Sequence, residues 1–274
     1  MKKRLRIISN LLVVISILLC TYPILCEVIQ SYSQKDALST YQNEISQSET
    51  VDFETMIEEA RTYNENLYLG QGAYVGEVQS DDYYELLDIQ GNGMMGFIEI
   101  PKIDVNLPIY HGCGDDVLNT AIGHVEGSSL PVGGENTRSL LSGHCGLPHA
   151  KLFTRLDELD KGDLFYINVL DQTLAYEIYD IQVIEPNDIK KVAIIEGEDL
   201  VSLITCTPYG INSHRLVVTG RRIEYVEQEY LEIEKSIGSP REVFLNSLPF
   251  LLVGVATLSY IKERKKKKDD EAKD

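Results

Sequence analysis

The pattern of apolar and polar residues places two long apolar stretches near the ends of the chain and a middle region of short apolar runs between them. Residues 7–26 and 243–261 carry no charged side chain, and about 20 apolar residues are enough to cross a bilayer. Lys and Arg flank each stretch on its terminal side, at 2–6 and at 262–268. Because such residues stay on the cytoplasmic side, the pattern predicts a two-pass cell-membrane protein with both termini cytoplasmic and the middle region outside.

A cleaved signal peptide is the main alternative for the first stretch, but residues 22–26 lack the small residues of a cleavage site. Leu25 also differs from the small residue expected before a lipoprotein cysteine, so an uncleaved anchor within 1–26 fits better. In the second stretch, Pro249 and Gly254 suit a lipid-embedded helix better than a soluble one. A buried helix of a soluble protein would leave the basic tail at 262–274 unexplained.

The region from 27 to 92 is predicted to hold juxtamembrane helices and a lid-like loop. Its clearest helix has apolar residues at steps of three and four, which is typical of an amphipathic helix; these residues are Phe53, Met56, Ile57, Ala60 and Tyr63. The pattern stops between 68 and 82, where three glycines interrupt it. We therefore expect a loop there.

Short apolar runs separated by turn residues predict a mostly β domain over 93–227, built as a small closed barrel or sandwich of seven or eight strands. Brief helices are expected near 117–120 and 151–159. An acidic linker follows at 228–242. The expected strands lie at 95–100, 105–110, 139–141, 164–170, 174–184, 200–205 and 216–226.

The charge of the middle region and the spacing of its cysteines restrict the partners and the kinds of site that we expect. Residues 27–242 hold 14 Lys and Arg against 38 Asp and Glu, a formal charge of −24, which argues against a nucleic-acid partner and is compatible with a basic protein partner. The three cysteines of this region (Cys113, Cys145, Cys206) have no paired spacing, so they predict neither a disulfide framework nor a zinc site. No acidic cluster completes a calcium loop. We expect no metal and no cofactor.

Cys206 is the strongest candidate for chemistry. It ends a predicted strand, Pro208 and Gly210 mark a turn, and Arg215 begins the next strand. In such a hairpin the two residues become neighbours, so the guanidinium favours the thiolate and can later stabilise an oxyanion. His144, between Gly143 and Gly146, is the candidate acid and base.

The order of these residues excludes papain-like cysteine proteases, and the sequence around the cysteine excludes caspase-like ones, which share the order. His144 precedes Cys206, the reverse of papain-like enzymes, and the caspase signature around the cysteine is absent. Residues 203–206 resemble the TLxTC motif of sortases, with Ser202 where that family usually has Thr. Further segments resemble class C, the pilus-building sortases, over about 84–222; they are 93–103, 107–112, 129–134, 143–148 and 205–215.

This resemblance implies a sortase β-barrel with Cys206 as nucleophile, His144 as general acid and base, and Arg215 as the oxyanion or substrate-positioning group. Thr205, next to the cysteine, is a supporting candidate that would help to shape the oxyanion hole through its backbone or its hydroxyl. The implied reaction cuts an LPxTG-like signal after Thr and joins the acyl group to a Lys amine of a pilin. Anchoring of surface proteins to peptidoglycan and a non-catalytic binding module are the alternatives.

Two further expectations concern the surroundings of this site. Class C enzymes often carry a lid with an Asp-Pro-aromatic tripeptide, which is absent between 66 and 83, so a lid here is expected to be loose and the thiol accessible. The remaining histidines and cysteines are interpreted as structural. They are His111, His124, His149, His214, Cys113 and Cys145.

Overall fold

The computed structural model describes residues 2–48, 51–71, 82–147, 150–233, 244, 247–258 and 261–262. The chain divides into two compact units. One comprises Met1–Ile29 together with Ile237–Asp274, and the other comprises Gln30–Ser236.

The first predicted membrane helix is part of a longer helix, α1, which spans Lys2–Gln47. Within the described residues, its portion Leu11–Gln47 is the one helical segment long and apolar enough to cross a membrane. Near the other end the structure describes a shorter apolar helix, Ser247–Leu258. At 1.5 Å per residue that helix is about 18 Å long, which is less than the roughly 30 Å of a bilayer core. The rest of the predicted second span lies largely outside the described residues.

The second half of α1 packs against the middle region of the chain rather than extending freely. Leu38 and Tyr41 are buried with Met94 and Phe97. The hydroxyl of Tyr41 donates to the carbonyl of Met95 at 2.9 Å and accepts from the N–H of Leu170 at 2.9 Å. Because this buried hydroxyl both donates and accepts a hydrogen bond, it holds this part of the helix against the domain.

The predicted amphipathic helix is confirmed as α2, Phe53–Gln71. Ile57, Ala60, Tyr63 and Leu67 are buried in the main core, as their spacing indicates. The helix continues to Gln71, so the prediction of a loop from residue 68 is wrong for its first four positions. The remainder of the predicted lid-like loop, 72–81, lies outside the described residues.

Within the part of the chain that the structure describes, eight strands form a closed barrel in the order β1-β2-β3-β4-β7-β8-β6-β5. Two neighbouring pairs, β2 with β3 and β4 with β7, run parallel, and the other pairs run antiparallel. The sheet is therefore mixed. The strands are β1 Met94–Ile100, β2 Val105–His111, β3 Ile122–His124, β4 Thr137–Ser142, β5 Leu164–Val169, β6 Gln172–Ile184, β7 Asp199–Thr207 and β8 His214–Ile223.

Seven of these strands agree with the prediction from the apolar runs, and β3, which has only three residues, was not predicted. The expected brief helices are also present in shortened form, as α3, Asp115–Leu118, and a 3-10 turn at Leu156–Glu158. After β8, the helix α4 spans Glu227–Glu232. Tyr225 and Tyr230 contact the ring of Tyr166 edge-on, so the chain beyond the barrel begins by packing back onto it.

The side chains of β7 and β8 alternate between two apolar clusters. Leu203 and Val218 belong to the main core inside the barrel. Val217 and Ile204 instead belong to a smaller cluster with Leu140 and Val192. Because neighbouring residues of a strand point to opposite faces, this second cluster marks the outer face of β4, β7 and β8.

His124 is fully buried where β3 meets the segment that follows α2. Its Nε2 lies 2.8 Å from the carbonyl oxygen of Ser129, and its Nδ1 lies 2.8 Å from the hydroxyl of Tyr83. Since a carbonyl oxygen only accepts, Nε2 carries the proton and Nδ1 accepts from the tyrosine. Burial lowers the pKa of His124 to about 4, and burial also lowers the pKa of the neighbouring His111.

We expect this histidine to make the fold sensitive to acid. Its pKa in the unfolded chain is about 6.5, so as the pH falls from about 6.5 to 4 the unfolded state binds a proton that the folded state excludes. The stability contribution of neutral His124 is therefore present above that window and is lost through it, by up to about 3 kcal/mol. Urea denaturation of the purified protein at several pH values measures this dependence.

Replacement of His124 by Gln should flatten the pH dependence between 6.5 and 4, because the amide keeps a donor and an acceptor but does not titrate. His214→Gln is the matched control, since His214 is only partly buried and contacts Glu185 at 3.3 Å. An equally steep dependence in wild type and His124→Gln would show that the acid sensitivity originates elsewhere.

Candidate active site

Cys206 and Arg215 are direct register partners across the antiparallel pair β7–β8. The predicted hairpin neighbourhood is thus present in the structure. Cys206 shares its strand face with Ser202 and Ile204, which places it on the outer face of the barrel and not in the core. Its side chain is partly exposed, so the sulfur is on the face where a peptide can reach it.

His144 lies in the loop that follows β4, and the end of β7 holds this loop in place. The parallel pairing of β4 with β7 ends with Ser142 opposite Ile204. One residue further, the N–H of Gly143 donates to the carbonyl of Ile204 at 3.0 Å. The hydroxyl of Thr205 donates to the carbonyl of Gly143 at 2.7 Å. His144 is the next residue of this loop after Gly143.

The two glycines of this loop allow close packing, as their positions beside His144 suggested. A Cβ atom on Gly143 would lie 2.7 Å from side-chain atoms of Ile122 and of Phe153. A Cβ atom on Gly146 would overlap the ring of Tyr209, from the turn between β7 and β8. The His144 loop is therefore packed between the barrel and the turn that follows Cys206.

A further contact fixes the backbone of His144 itself. Its carbonyl oxygen accepts a hydrogen bond from the N–H of Phe153 at 3.1 Å. Together with the bonds to Gly143, this leaves the partly exposed imidazole as the free part of the residue. The role of Phe153 could not be predicted from the sequence, because Phe153 lies beyond the loop that carries His144.

The guanidinium of Arg215 is held by hydrogen bonds to the backbone just before it. Its Nη1 donates to the carbonyl of His214 at 3.1 Å and to that of Asn212 at 3.4 Å. Both bonds use one nitrogen of the guanidinium. His214, the residue before Arg215, contacts Glu185 and Ser213 instead. These contacts agree with its interpretation as a residue outside the site.

Cys113 and Cys145 lie outside the pairing of β7 with β8. Desolvation raises the pKa of Cys113 to about 11, so its thiolate is strongly disfavoured near neutral pH. Cys145 is partly buried next to His144. Among the described residues no group of three or more His, Cys, Asp or Glu is arranged to hold a metal ion.

The predicted residues therefore converge on one outer edge of the barrel. Cys206 and Arg215 face each other, and the Gly143–His144 backbone is tied to the same strand end. The single hydroxyl hydrogen of Thr205 is directed to the carbonyl of Gly143, and the side chain is buried. Its observed contact is with the loop that carries His144.

Comparison with known proteins is consistent with this arrangement. A family model described as the sortase domain matches residues 98–223. The crystal structure of sortase C1 from Streptococcus agalactiae superposes with a TM-score of 0.67 at 41% identity, covering 70% of this chain and 100% of that one. Sortase C from Clostridium perfringens, solved with the C-terminal cell wall sorting motif, gives a TM-score of 0.62 at 40% identity, covering 69% and 99%.

Similarity to curated sequences is more restricted. Sortase D of Bacillus subtilis is 31% identical over 131 residues, which span 47% of this chain and 63% of that protein. The chain thus spans less than two thirds of the length of the curated relatives that it matches first.

We expect Thr205→Val to slow the reaction of Cys206 without weakening peptide binding. The variant keeps the shape of the side chain but loses the bond that holds Gly143, and so loosens the His144 loop. Loss of a buried hydrogen bond of about 1.4 kcal/mol corresponds to a loss of about tenfold in rate. The measurement is kcat and KM for acylation by an LPxTG peptide.

Thr205→Ser is the matched control, because it retains the hydroxyl and should retain most of the rate. A Thr205→Val protein with unchanged kcat would show that the bond to Gly143 has no part in positioning His144.

Proposed function

The chain belongs to the sortase family, and we propose that it is a membrane-anchored cysteine transpeptidase that joins pilin subunits. The proposal is supported above all by the pairing of Cys206 with Arg215 on the outer face of the barrel. A binding module would have no need for a partly exposed thiol opposite a guanidinium.

In the first half of the proposed reaction, the thiolate of Cys206 attacks the carbonyl carbon of Thr in an LPxTG-like signal. A carbon–sulfur bond forms and the carbonyl oxygen becomes an oxyanion, which the guanidinium of Arg215 stabilises. The amide C–N bond then breaks as His144 gives a proton to the leaving amine. The products are a thioester on Cys206 and the released C-terminal part of the signal.

In the second half, the amine of a Lys side chain attacks the thioester carbonyl. His144 accepts the proton that this nitrogen loses, and the sulfur of Cys206 leaves as the thiolate. An isopeptide bond has then replaced the original peptide bond. Amide cleavage is divided into two easier steps, and no cofactor is required.

A pilin Lys is the proposed acceptor because the solved structures that resemble the chain at about 40% identity are sortases of class C. The motifs at 93–103 and 205–215 resemble that class as well. LPxTG-bearing pilins or surface proteins would then be the partners, and the acidic surface of residues 27–242 would face them outside the cell.

We propose that two membrane helices anchor the enzyme, with both termini cytoplasmic. The long apolar helix at Leu11–Gln47 supports the first anchor. The second proposed anchor, 243–261, includes the shorter helix Ser247–Leu258 and precedes the basic tail at 262–274. In this organisation 27–92 is juxtamembrane, 93–227 is the catalytic barrel and 228–242 is the acidic linker.

Cys206→Ala should abolish both the acyl adduct with an LPxTG peptide and pilin polymer in cells, because Cys206 is the cysteine that lies opposite Arg215. Mass spectrometry of the intact protein detects the adduct, and immunoblotting detects the polymer ladder. Cys145→Ala is the matched control and should retain both products. Persistence of ladders with Cys206→Ala as the only copy would contradict the assignment, and an adduct without ladders would favour peptidoglycan as the acceptor.

Arg215→Ala should lower kcat/KM for the same peptide by about 10²-fold or more, the scale of one lost oxyanion donor. Arg215→Lys should recover only part of this loss, since it keeps the charge but not the planar fork. Arg222→Ala provides a comparison, because Arg222 lies farther along β8 beside the ring of Tyr176. Equal kinetics for wild type and Arg215→Ala would remove Arg215 from the mechanism.

A further inference from the structure

Arg138 on β4 is a buried cation that the proposed chemistry does not use. Only 3% of the residue is exposed, and burial lowers the pKa of its guanidinium. None of the ion pairs found among the described residues includes it. The charge of Asp180 favours the guanidinium electrostatically, but a buried charge remains costly unless hydrogen bonds compensate for it. The hydrogen bonds of this side chain therefore indicate its role.

Two of these contacts are with the barrel. Nε donates to the hydroxyl of Ser202 on β7 at 2.9 Å, and Nη2 donates to the hydroxyl of Thr219 on β8 at 3.1 Å. The two hydroxyls are also 3.0 Å from each other. These bonds hold the plane of the guanidinium against the outer face of the barrel.

The other two contacts are with the connection between β6 and β7, residues 185–198, which we call the crossover loop. Nη1 donates to the carbonyls of Lys191 at 3.1 Å and of Ala193 at 3.0 Å. One side chain therefore joins three strands of the barrel to the middle of this loop. Val192, between the two carbonyls, packs with Leu140 and Val217 on the same outer face.

The crossover loop lies beside the candidate active site. On the outer face of β7 the side chains of Ser202, Ile204 and Cys206 follow one another along the strand. The part of the loop that Arg138 holds covers Ser202 and Ile204, and Cys206 lies just beyond it. The loop begins next to the site, because Ile184 is the register partner of Arg215 and Glu185 contacts His214.

We propose that Arg138 is a positioning residue that holds the crossover loop as one wall of the cleft for the acyl-donor peptide. The inference rests on the proposed function and adds to it a determinant of peptide affinity. With the loop held in advance, the peptide does not have to order it on binding, which lowers the entropic cost of association. Cys206, His144 and Arg215 are held by other contacts, so the effect should fall on KM and not on kcat.

The test compares Arg138→Met and Arg138→Lys in the full-length protein, with an LPxTG peptide as the probe. Met removes all four donors, and Lys keeps the charge but cannot span the two loop carbonyls and both hydroxyls at once. We expect KM to rise about tenfold or more in Arg138→Met, the scale of one lost charged hydrogen bond. We expect a smaller rise in Arg138→Lys, and kcat within about threefold of wild type in both.

Arg221→Met is the matched control. Arg221 also contacts the crossover loop, through Glu198 at 2.7 Å, but this pair is exposed and lies at the far end of the loop. Exposed ion pairs contribute little, so KM should stay near the wild-type value. Hydrogen exchange gives a second readout that needs no variant: in the wild-type protein the amides of 189–195 should exchange slowly before peptide is added.

The outcomes separate the two proposals. An unchanged KM in a folded Arg138→Met or Arg138→Lys protein would overturn the inference and leave the transpeptidase assignment standing. Fast exchange of 189–195 in the wild type would do the same, even if both variants failed to fold. Absence of any acyl adduct on wild-type Cys206 would overturn the proposed function and this inference with it.

Discussion

The site depends on the pairing of β7 with different neighbours on its two sides. Its parallel partner β4 delivers Gly143 and His144 to the end of the strand, and its antiparallel partner β8 delivers Arg215 directly opposite Cys206. A parallel neighbour brings in the residues that follow its own end, whereas an antiparallel neighbour brings in the residues at its start. One strand end thus collects side chains from three separate parts of the chain.

Strand register also decides which residue can react. Side chains alternate with a period of two, so a slip of one residue in β7 would turn Cys206 into the core and bring Thr205 to the outer face. Apolar residues on both faces oppose such a slip, because Leu203 is buried inside the barrel and Ile204 packs in the outer cluster. The apolar residues before the cysteine therefore fix the side on which its sulfur lies.

Features that depend on residues close together in the sequence could be predicted, and features that depend on distant residues could not. The contact of Cys206 with Arg215 was predictable because a short turn makes strand ends neighbours, and α2 because its period is local. His144 could be named as a candidate from its two flanking glycines, but the pairing of β4 with β7 that carries its loop could not be predicted, since parallel pairing between distant strands leaves no local pattern. Strand β3 was missed because Ile122–His124 is too short to alternate. The hydrogen bonds of Arg138 could not be predicted either, because its acceptors on the crossover loop are distant from it in sequence, as β4 is from β7.

The outer face of the barrel can carry chemistry because the inside is filled. Leu203, Val218 and the rest of the main core occupy the interior, so a peptide must bind to the outside, where open solvent would give it no enclosed cleft. In the proposed mechanism the crossover loop supplies the missing wall, and the buried side chains of Thr205 and Arg138 hold the segments on either side of Cys206. Two adjacent residues of β7 therefore have different proposed roles. Thr205 points inward and holds the His144 loop, and Cys206 points outward to the substrate. The Thr-Cys pair is useful as a pair because neighbouring residues of a strand cannot share a face.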